Sequence, residues 1–227
     1  MTIIETQNLS KRIEKKYIVK DVSLLIPEGS ITGLLGPNGA GKSTILKLLI
    51  GMLHPTEGKV LYKGNPLTTR DLFFIGSLID EPALYANLTA QENLKVRTIP
   101  LGIENKKIDE TLEVVNLSDT KDKKVKHFSL GMKQRLGIAI ALINDPVFLI
   151  LDEPTNGLDP IGMQEFRNLV FSLSDKGVTV LISSHLLKEM EGLANHIAIM
   201  TDGCLRYQGA FKQGDDLEAL FMNVMNG

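Results

Sequence analysis

The nine residues Gly36-Pro37-Asn38-Gly39-Ala40-Gly41-Lys42-Ser43-Thr44 constrain this chain more than any other stretch, because their flanks are as specific as they are. An apolar run, Ile31-Thr32-Gly33-Leu34-Leu35, precedes them, and a helix-like run, Ile45 to Ile50, follows. This is the strand, glycine loop and helix context of a phosphate-binding loop. Glycines at 36, 39 and 41 let the backbone turn tightly and bring bare N–H groups against a triphosphate. The helix that begins there adds unpaired N–H groups and the positive end of its dipole. In this pattern Lys42 reaches the β- and γ-phosphates and Ser43 sets its hydroxyl on Mg²⁺. A plain glycine turn would need neither side chain. The chain is thus expected to bind a nucleoside triphosphate in an α/β fold.

A second feature lies far along the chain. Val147-Phe148-Leu149-Ile150-Leu151 is apolar throughout, as a parallel strand covered on both faces must be. It runs directly into Asp152-Glu153, at the end of a strand where α/β sheets place their ligands. Asp152 suits Mg²⁺, which takes oxygen ligands and keeps several waters. Glu153 beside it can polarise the water that attacks the γ-phosphate.

Between these two features the pattern changes. Thr89-Ala90-Gln91-Glu92 is a capping box, Ile108, Leu112 and Val115 recur at helical spacing, and Leu130 to Ile143 reads as a third helix. Strands are expected over 3–6, 22–26, 31–35, 60–62 and 73–75 before this region. After it come a strand at 147–151, a helix at 163–174, a strand at 178–182, a helix from Leu186, strands at 197–200 and 205–207, and a last helix from Leu217. The whole chain, 1–227, therefore reads as one domain, with a core of 1–81 and 144–227 and a helical insertion of 82–143. A net charge of −2 offers no general attraction to nucleic acid, and none is expected as a partner. The basic run Lys121 to Lys126 has no aromatic platform beside it and reads as a solvated loop. One cysteine, Cys204, and an N-terminus without basic and apolar signal regions point to the cytoplasm. No apolar run approaches the ~20 residues a membrane span needs, so any membrane part is expected on another chain.

Phe128-Ser129-Leu130-Gly131-Met132-Lys133-Gln134-Arg135, then Leu149 to Asp159, then Ser183-Ser184-His185, stand in the order of the ABC ATPases. The resemblance spans about Thr2 to Tyr207. It implies a P-loop NTPase fold, with a RecA-like core, an antiparallel β subdomain and a helical subdomain. It implies ATP hydrolysis with Mg²⁺ in a head-to-tail dimer, the second subunit being another copy or a paralogue. ATP would lie between one subunit's loop, Gly36 to Thr44, and the other's Ser129 and Gly131. The family's usual Leu-Ser-Gly-Gly-Gln is here Phe-Ser-Leu-Gly-Met, which keeps the serine and one glycine. Asp159 matches the loop that communicates between the two sites, and His185 the histidine that contacts the γ-phosphate. The adenine-stacking aromatic falls by spacing on Ile13, with Tyr17 nearby, which leaves ATP or GTP open. The glutamine that most members place after the 73–75 strand falls on Asp80, a candidate catalytic and Mg²⁺-binding carboxylate, with Glu81 beside it.

The carboxylate in that loop, the Phe-Ser-Leu-Gly-Met-Lys-Gln-Arg-Leu segment, the short length and the Asp216 to Phe221 tail resemble one subgroup. It comprises the ATPase subunits of bacitracin-resistance and lantibiotic-immunity exporters. The resemblance implies a subunit at the cytoplasmic face of the membrane, bound through an integral-membrane permease. Another small drug or lipid exporter is the alternative. A non-transport ABC ATPase acting on ribosomes or nucleic acid usually needs a second fused half or a coiled coil, and 227 residues have room for neither.

Overall fold

The computed structural model describes residues 1–212 and 214–226; the domain bound at 227 lies outside the described residues. β1 (Thr2–Ile13) turns back on β2 (Lys16–Val22), and β3 (Leu25–Pro27) pairs with the start of β1. The single strand expected over 22–26 is therefore two strands, and buried Thr6 is the cause. Its backbone N–H donates to Leu24 O, its hydroxyl donates to Val22 O, and the same Thr6 hydroxyl oxygen accepts from the Leu24 N–H, each at 2.8 Å. The chain bends at Ser23–Leu24 to meet all three.

β4 (Ile31–Leu35) is buried at every position and runs into the glycine loop, after which α1 (Lys42–Leu49) begins. β5 (Glu57–Tyr62) pairs with β1, and β6 (Asn65–Pro66) with β5, giving an antiparallel sheet in the order β2-β1-β5-β6. The strand expected at 73–75 is displaced. Asp71–Phe74 is a turn of 3₁₀ helix, started where the Asp71 carboxylate accepts from both the N–H and the hydroxyl of Thr68 at 2.7 Å. β7 (Ile75–Leu78) follows, and Phe73 and Phe74 are left 56% and 50% exposed.

α2 (Ala90–Leu101), α3 (Asn105–Val114) and α4 (Leu130–Leu142) then separate β7 from β8 (Phe148–Asp152). The capping box forms as expected: Thr89 Oγ accepts from Glu92 N–H while the Glu92 carboxylate accepts from Thr89 N–H. The chain finishes with α5 (Pro160–Asp175), β9 (Thr179–Ser184), α6 (Leu187–Met190), β10 (His196–Thr201), β11 (Cys204–Ala210) and α7 (Leu217–Asn226). The helix from Leu186 is only one turn, because Glu191 leaves the helical region and Gly192 turns with φ 65°.

The second sheet runs β11-β10-β4-β9-β8-β7, parallel except for β11. Its two faces are both covered. Phe148 and Ile150 of β8 pack with Leu34, Leu181 and the α1 residues Ile45 and Leu46, against the antiparallel sheet. Leu149 and Leu151 pack with Ile182, Leu136 of α4 and Val170 of α5. Each such side chain contributes about 1.5–3 kcal/mol relative to exposure. Burial on both faces is what makes these strands continuous apolar runs. Among the described residues, no helix is long and apolar enough to cross a membrane.

Candidate active site

Strand register collects the site. Leu35 of β4 lies beside Ser184 of β9, Ser183 beside Asp152 of β8, and Leu151 beside Leu78 of β7. Gly36, His185, Glu153 and Asp80 therefore emerge at one edge of the parallel sheet. The glycine loop can take its path only because two positions lack a side chain. A Cβ on Gly36 would sit 2.2 Å from Met200 O, and one on Gly41, at φ 98°, would sit 2.7 Å from Ile18 O. Gly41 is the N-cap of α1 and supplies no capping oxygen, so the first-turn N–H groups are free for a phosphate.

Lys42 is buried. Its ammonium donates to Gly36 O at 2.7 Å and Pro37 O at 3.3 Å and pairs with Glu153 Oε1 at 3.2 Å. The other Glu153 oxygen lies 2.7 Å from His185 Nδ1. One carboxylate thus joins the loop lysine to the histidine. Glu153 holds this place with a left-handed backbone, φ 46°, and its N–H donates to Ser183 Oγ at 2.9 Å. A non-glycine residue there costs on the order of 1–3 kcal/mol, the kind of strain that clusters at functional sites. Ser183 in turn donates to the buried Asp152 carboxylate, and so fixes both acids. Ser184 donates to Glu189 at 2.6 Å and accepts from Leu186 N–H at 2.9 Å, which pins the chain on both sides of His185.

Two cavities meet here. One, of about 350 Å³, is lined by Asn38 to Thr44, Ile18, Glu153, Asn156 and His185. The other, of about 900 Å³, shares Ser43, Glu153 and Asn156 and adds Asp80, Glu81, Asp152 and the α4 residues Leu130, Lys133 and Gln134. Among the described residues, no cluster of three or more His, Cys, Asp or Glu forms a resident metal cage. A hydroxyl at Ser43 and a carboxylate at Asp152 suit Mg²⁺ all the same, since that ion binds through one or two protein oxygens plus phosphates and water.

Other sequence-selected residues lie outside the smaller cavity. Ser129 is exposed and caps α4, accepting from Met132 N–H at 3.3 Å. Gly131 faces Leu158, and exposed Asp159 caps α5 by accepting from Gly162 N–H at 2.7 Å. One chain does not bring these three to its own phosphate loop. Asp80 is in a left-handed turn, φ 61°, and its carboxylate pairs with Lys47 at 2.7 Å. Ile13, 48% exposed, pairs with Lys16 at the hairpin end. Alternation along β2 puts Tyr17 on the face opposite Lys16 and Ile18. The Tyr17 hydroxyl donates to Glu57 at 2.8 Å, which raises the phenol above its ordinary pKa. Ile13 therefore shares the face of cavity-lining Ile18, and Tyr17 does not.

Ile18, Asn156 and Lys47 were not singled out by the sequence. Asn156 sits inside the Asp152–Asp159 segment, and Lys47 stands one helical turn after Ser43, so spacing alone could have found both. Ile18 has no such signal.

The family model described as "ABC transporter" matches residues 19–156. A "lantibiotic transport ATP-binding protein", SrtF of Streptococcus pyogenes, is 48% identical over 97% of this chain and 96% of its own length. A "bacitracin transport ATP-binding protein", BcrA of Bacillus licheniformis, is 46% identical over 90% of this chain and 68% of its own. Among solved structures, a dimeric ATP-binding cassette in a post-hydrolysis state, bound to ADP and Pi, superposes with a TM-score of 0.81 at 27% identity. That likeness covers 92% of this chain and 99% of that one.

Proposed function

The chain belongs to the ABC transporter family, and we propose that it is the ATP-hydrolysing subunit of a bacterial exporter conferring lantibiotic immunity or peptide-antibiotic resistance. The observation that carries the chemistry is the Glu153 carboxylate held between Lys42 and His185 beside the uncapped start of α1. The observation that favours the cargo class is the end-to-end similarity to a lantibiotic transport subunit.

In this reading the Gly36–Thr44 backbone and Lys42 bind the triphosphate, and Ser43 and Asp152 hold Mg²⁺, with Asp80 facing the same cavity. Bound Mg²⁺ would neutralise charge building on the phosphate oxygens. Glu153 accepts a proton from the attacking water, and His185 orients Glu153 and meets the γ-phosphate. Positioning and electrostatics dominate such phosphoryl transfer. Ser129, Gly131 and Asp159 act on the site of a second subunit, which fits the exposure of Ser129 and Asp159 and the absence of all three from the lining of their own phosphate-loop cavity. Ile13 is the residue under the base. Residues 82–143 act as the helical subdomain and the rest as the core.

A permease would dock where the 3₁₀ turn and α2 meet. Phe73, Phe74, Val96, Ile99 and Leu101 are exposed there, and Tyr85 is exposed nearby. Part of this patch lines a groove of about 460 Å³. An exposed apolar cluster of this kind marks an interaction surface. Binding there would hold the subunit peripherally at the cytoplasmic face. The test is deletion of the coding sequence, with complementation by wild type or by Glu153→Gln. Sensitivity to lantibiotics or bacitracin that only the wild type reverses is the expected result. Unchanged sensitivity to both, with ATPase activity intact, refutes the cargo assignment but not the ATPase.

A further inference from the structure

The acidic residue in the glutamine position poses an electrostatic problem that the fold itself answers. Asp80, Glu81, Asp152 and Glu153 all line the cavity that opens onto Ser43. Four carboxylates there would oppose a triphosphate unless some are compensated. Glu153 is compensated by Lys42. Asp80 is met by Lys47, whose ammonium lies 2.7 Å from its Oδ2. Lys47 follows Ser43 by four residues on α1, so the two side chains share a helix face. A carboxylate gripped by Lys47 is therefore carried to the side of α1 that presents the Ser43 hydroxyl. The backbone supports this placement. Leu78 is in register with Leu151, and the left-handed turn at Asp80 redirects the chain two residues past the end of β7.

Resting on the nucleotide-site reading above, we propose that Lys47 is the positioning residue for Asp80. The pair lets a carboxylate stand where the family usually has an amide. The ammonium cancels the added charge and aims the carboxylate at the metal side of the cavity. Its worth is not in stability, since Asp80 is 61% exposed and such pairs contribute about 0–1 kcal/mol. Its worth is in the metal dependence of nucleotide binding.

The experiment uses the full chain carrying Glu153→Gln, so that hydrolysis does not interfere. It reads the affinity for a fluorescent ATP analogue with and without Mg²⁺; loss of the ammonium's charge alone would weaken the free triphosphate more than its Mg²⁺ complex and raise the ratio, the opposite of a lost positioning role. Lys47→Gln should reduce the Mg²⁺-dependent gain by about 3- to 10-fold, at or below the low end for losing an outer-shell partner because the pair is partly exposed. Lys47→Arg should hold the gain within about twofold, and in an Asp80→Ala background Lys47→Gln should change it by less than about twofold. If Lys47→Gln unfolds, Lys47→Met removes the same ammonium while keeping the side-chain stem, and should show the same loss. A silent Lys47→Gln, or an equal loss with and without Asp80, overturns the proposal. Ser43→Ala in the same assay separates the two readings. If it leaves the gain intact, the metal site itself is misplaced. If it abolishes the gain while Lys47→Gln is silent, only the role of Lys47 falls.

Discussion

Replacing Ile13 by tyrosine tests where the base rests, because the hairpin separates two candidate side chains onto opposite faces. Ile13 stands on the face of Ile18, which lines the phosphate-loop cavity. Tyr17 faces away, tied to Glu57 and beneath the Arg12 guanidinium, which lies 6.0 Å from its ring centroid. An aromatic under a base is worth about 1–3 kcal/mol. Ile13 is half exposed, so the lower half of that range applies. A gain of about 1–2 kcal/mol makes nucleotide binding roughly 5- to 30-fold tighter. Stacking is tolerant of base identity, so ATP and GTP should both gain. Neither Ile13 nor Ile18 carries a side-chain polar group to read a base edge, and the wild type should separate ATP from GTP by less than about tenfold. Folding should be indifferent, because exposed substitutions stay within about 0.5 kcal/mol. Titration with fluorescent analogues of both nucleotides, alongside thermal unfolding, measures all of this. Unchanged affinity in Ile13→Tyr together with a loss of more than about fivefold in Tyr17→Ala would refute the argument, for the base would then lie on the other face.

Glu153→Gln should slow phosphate release by about 10²–10⁴, while nucleotide affinity stays within about threefold, since Lys42 keeps both of its loop carbonyls. Adding His185→Ala to it should cost far less than the product of the two single effects, because the residues act as one unit. Asp159→Ala should lower stability by about 1 kcal/mol through loss of the α5 cap, and Asp159→Ser should not. Reduced turnover in a fully stable Asp159→Ser then isolates the role of Asp159 across the dimer, and normal turnover removes that role. Burial holds the His196 imidazole below its ordinary pKa. Its proton is then bound first by the unfolded chain, so stability falls as pH drops below about 6.5. The unfolding temperature should fall more between pH 7 and pH 5.5 in wild type than in His196→Gln, and parallel curves would contradict it.

The parallel sheet was legible because burial on both faces makes Leu34-Leu35, Phe148 to Leu151 and Val180 to Ile182 unbroken apolar runs. The antiparallel hairpin was not. Glu14, Lys15 and Lys16 stand at its tip and are exposed, so no apolar alternation marks where the strands end. The 3₁₀ turn misled for the opposite reason. Phe73-Phe74-Ile75 has the composition of a buried strand, yet two of its three residues face outward, and apolar content alone cannot distinguish a core from an exposed patch. Motif spacing located every acid and base at the sheet edge. It could not show that Glu153 bridges Lys42 and His185, because that contact needs a left-handed backbone that no sequence pattern encodes for glutamate.

The smaller cavity also argues for its own incompleteness. A triphosphate brings about four negative charges, and the ammonium that meets it, Lys42, is already shared with Glu153. First-turn N–H groups of α1 and one Mg²⁺ offset part of the remainder. The rest must come from donors outside the cavity. Ser129 and the start of α4 are exposed on the same chain and do not reach it, and a single helix N-terminus supplies only about half a charge. Two copies placed head to tail would bring that half charge, with the donors of Ser129 and Gly131, to each site at once. Closure of the pair would then depend on nucleotide, because without the triphosphate the helix start and the donors of Ser129 and Gly131 would have no anion to meet across the interface. Coupling of ATP to movement needs no device beyond that shared anion.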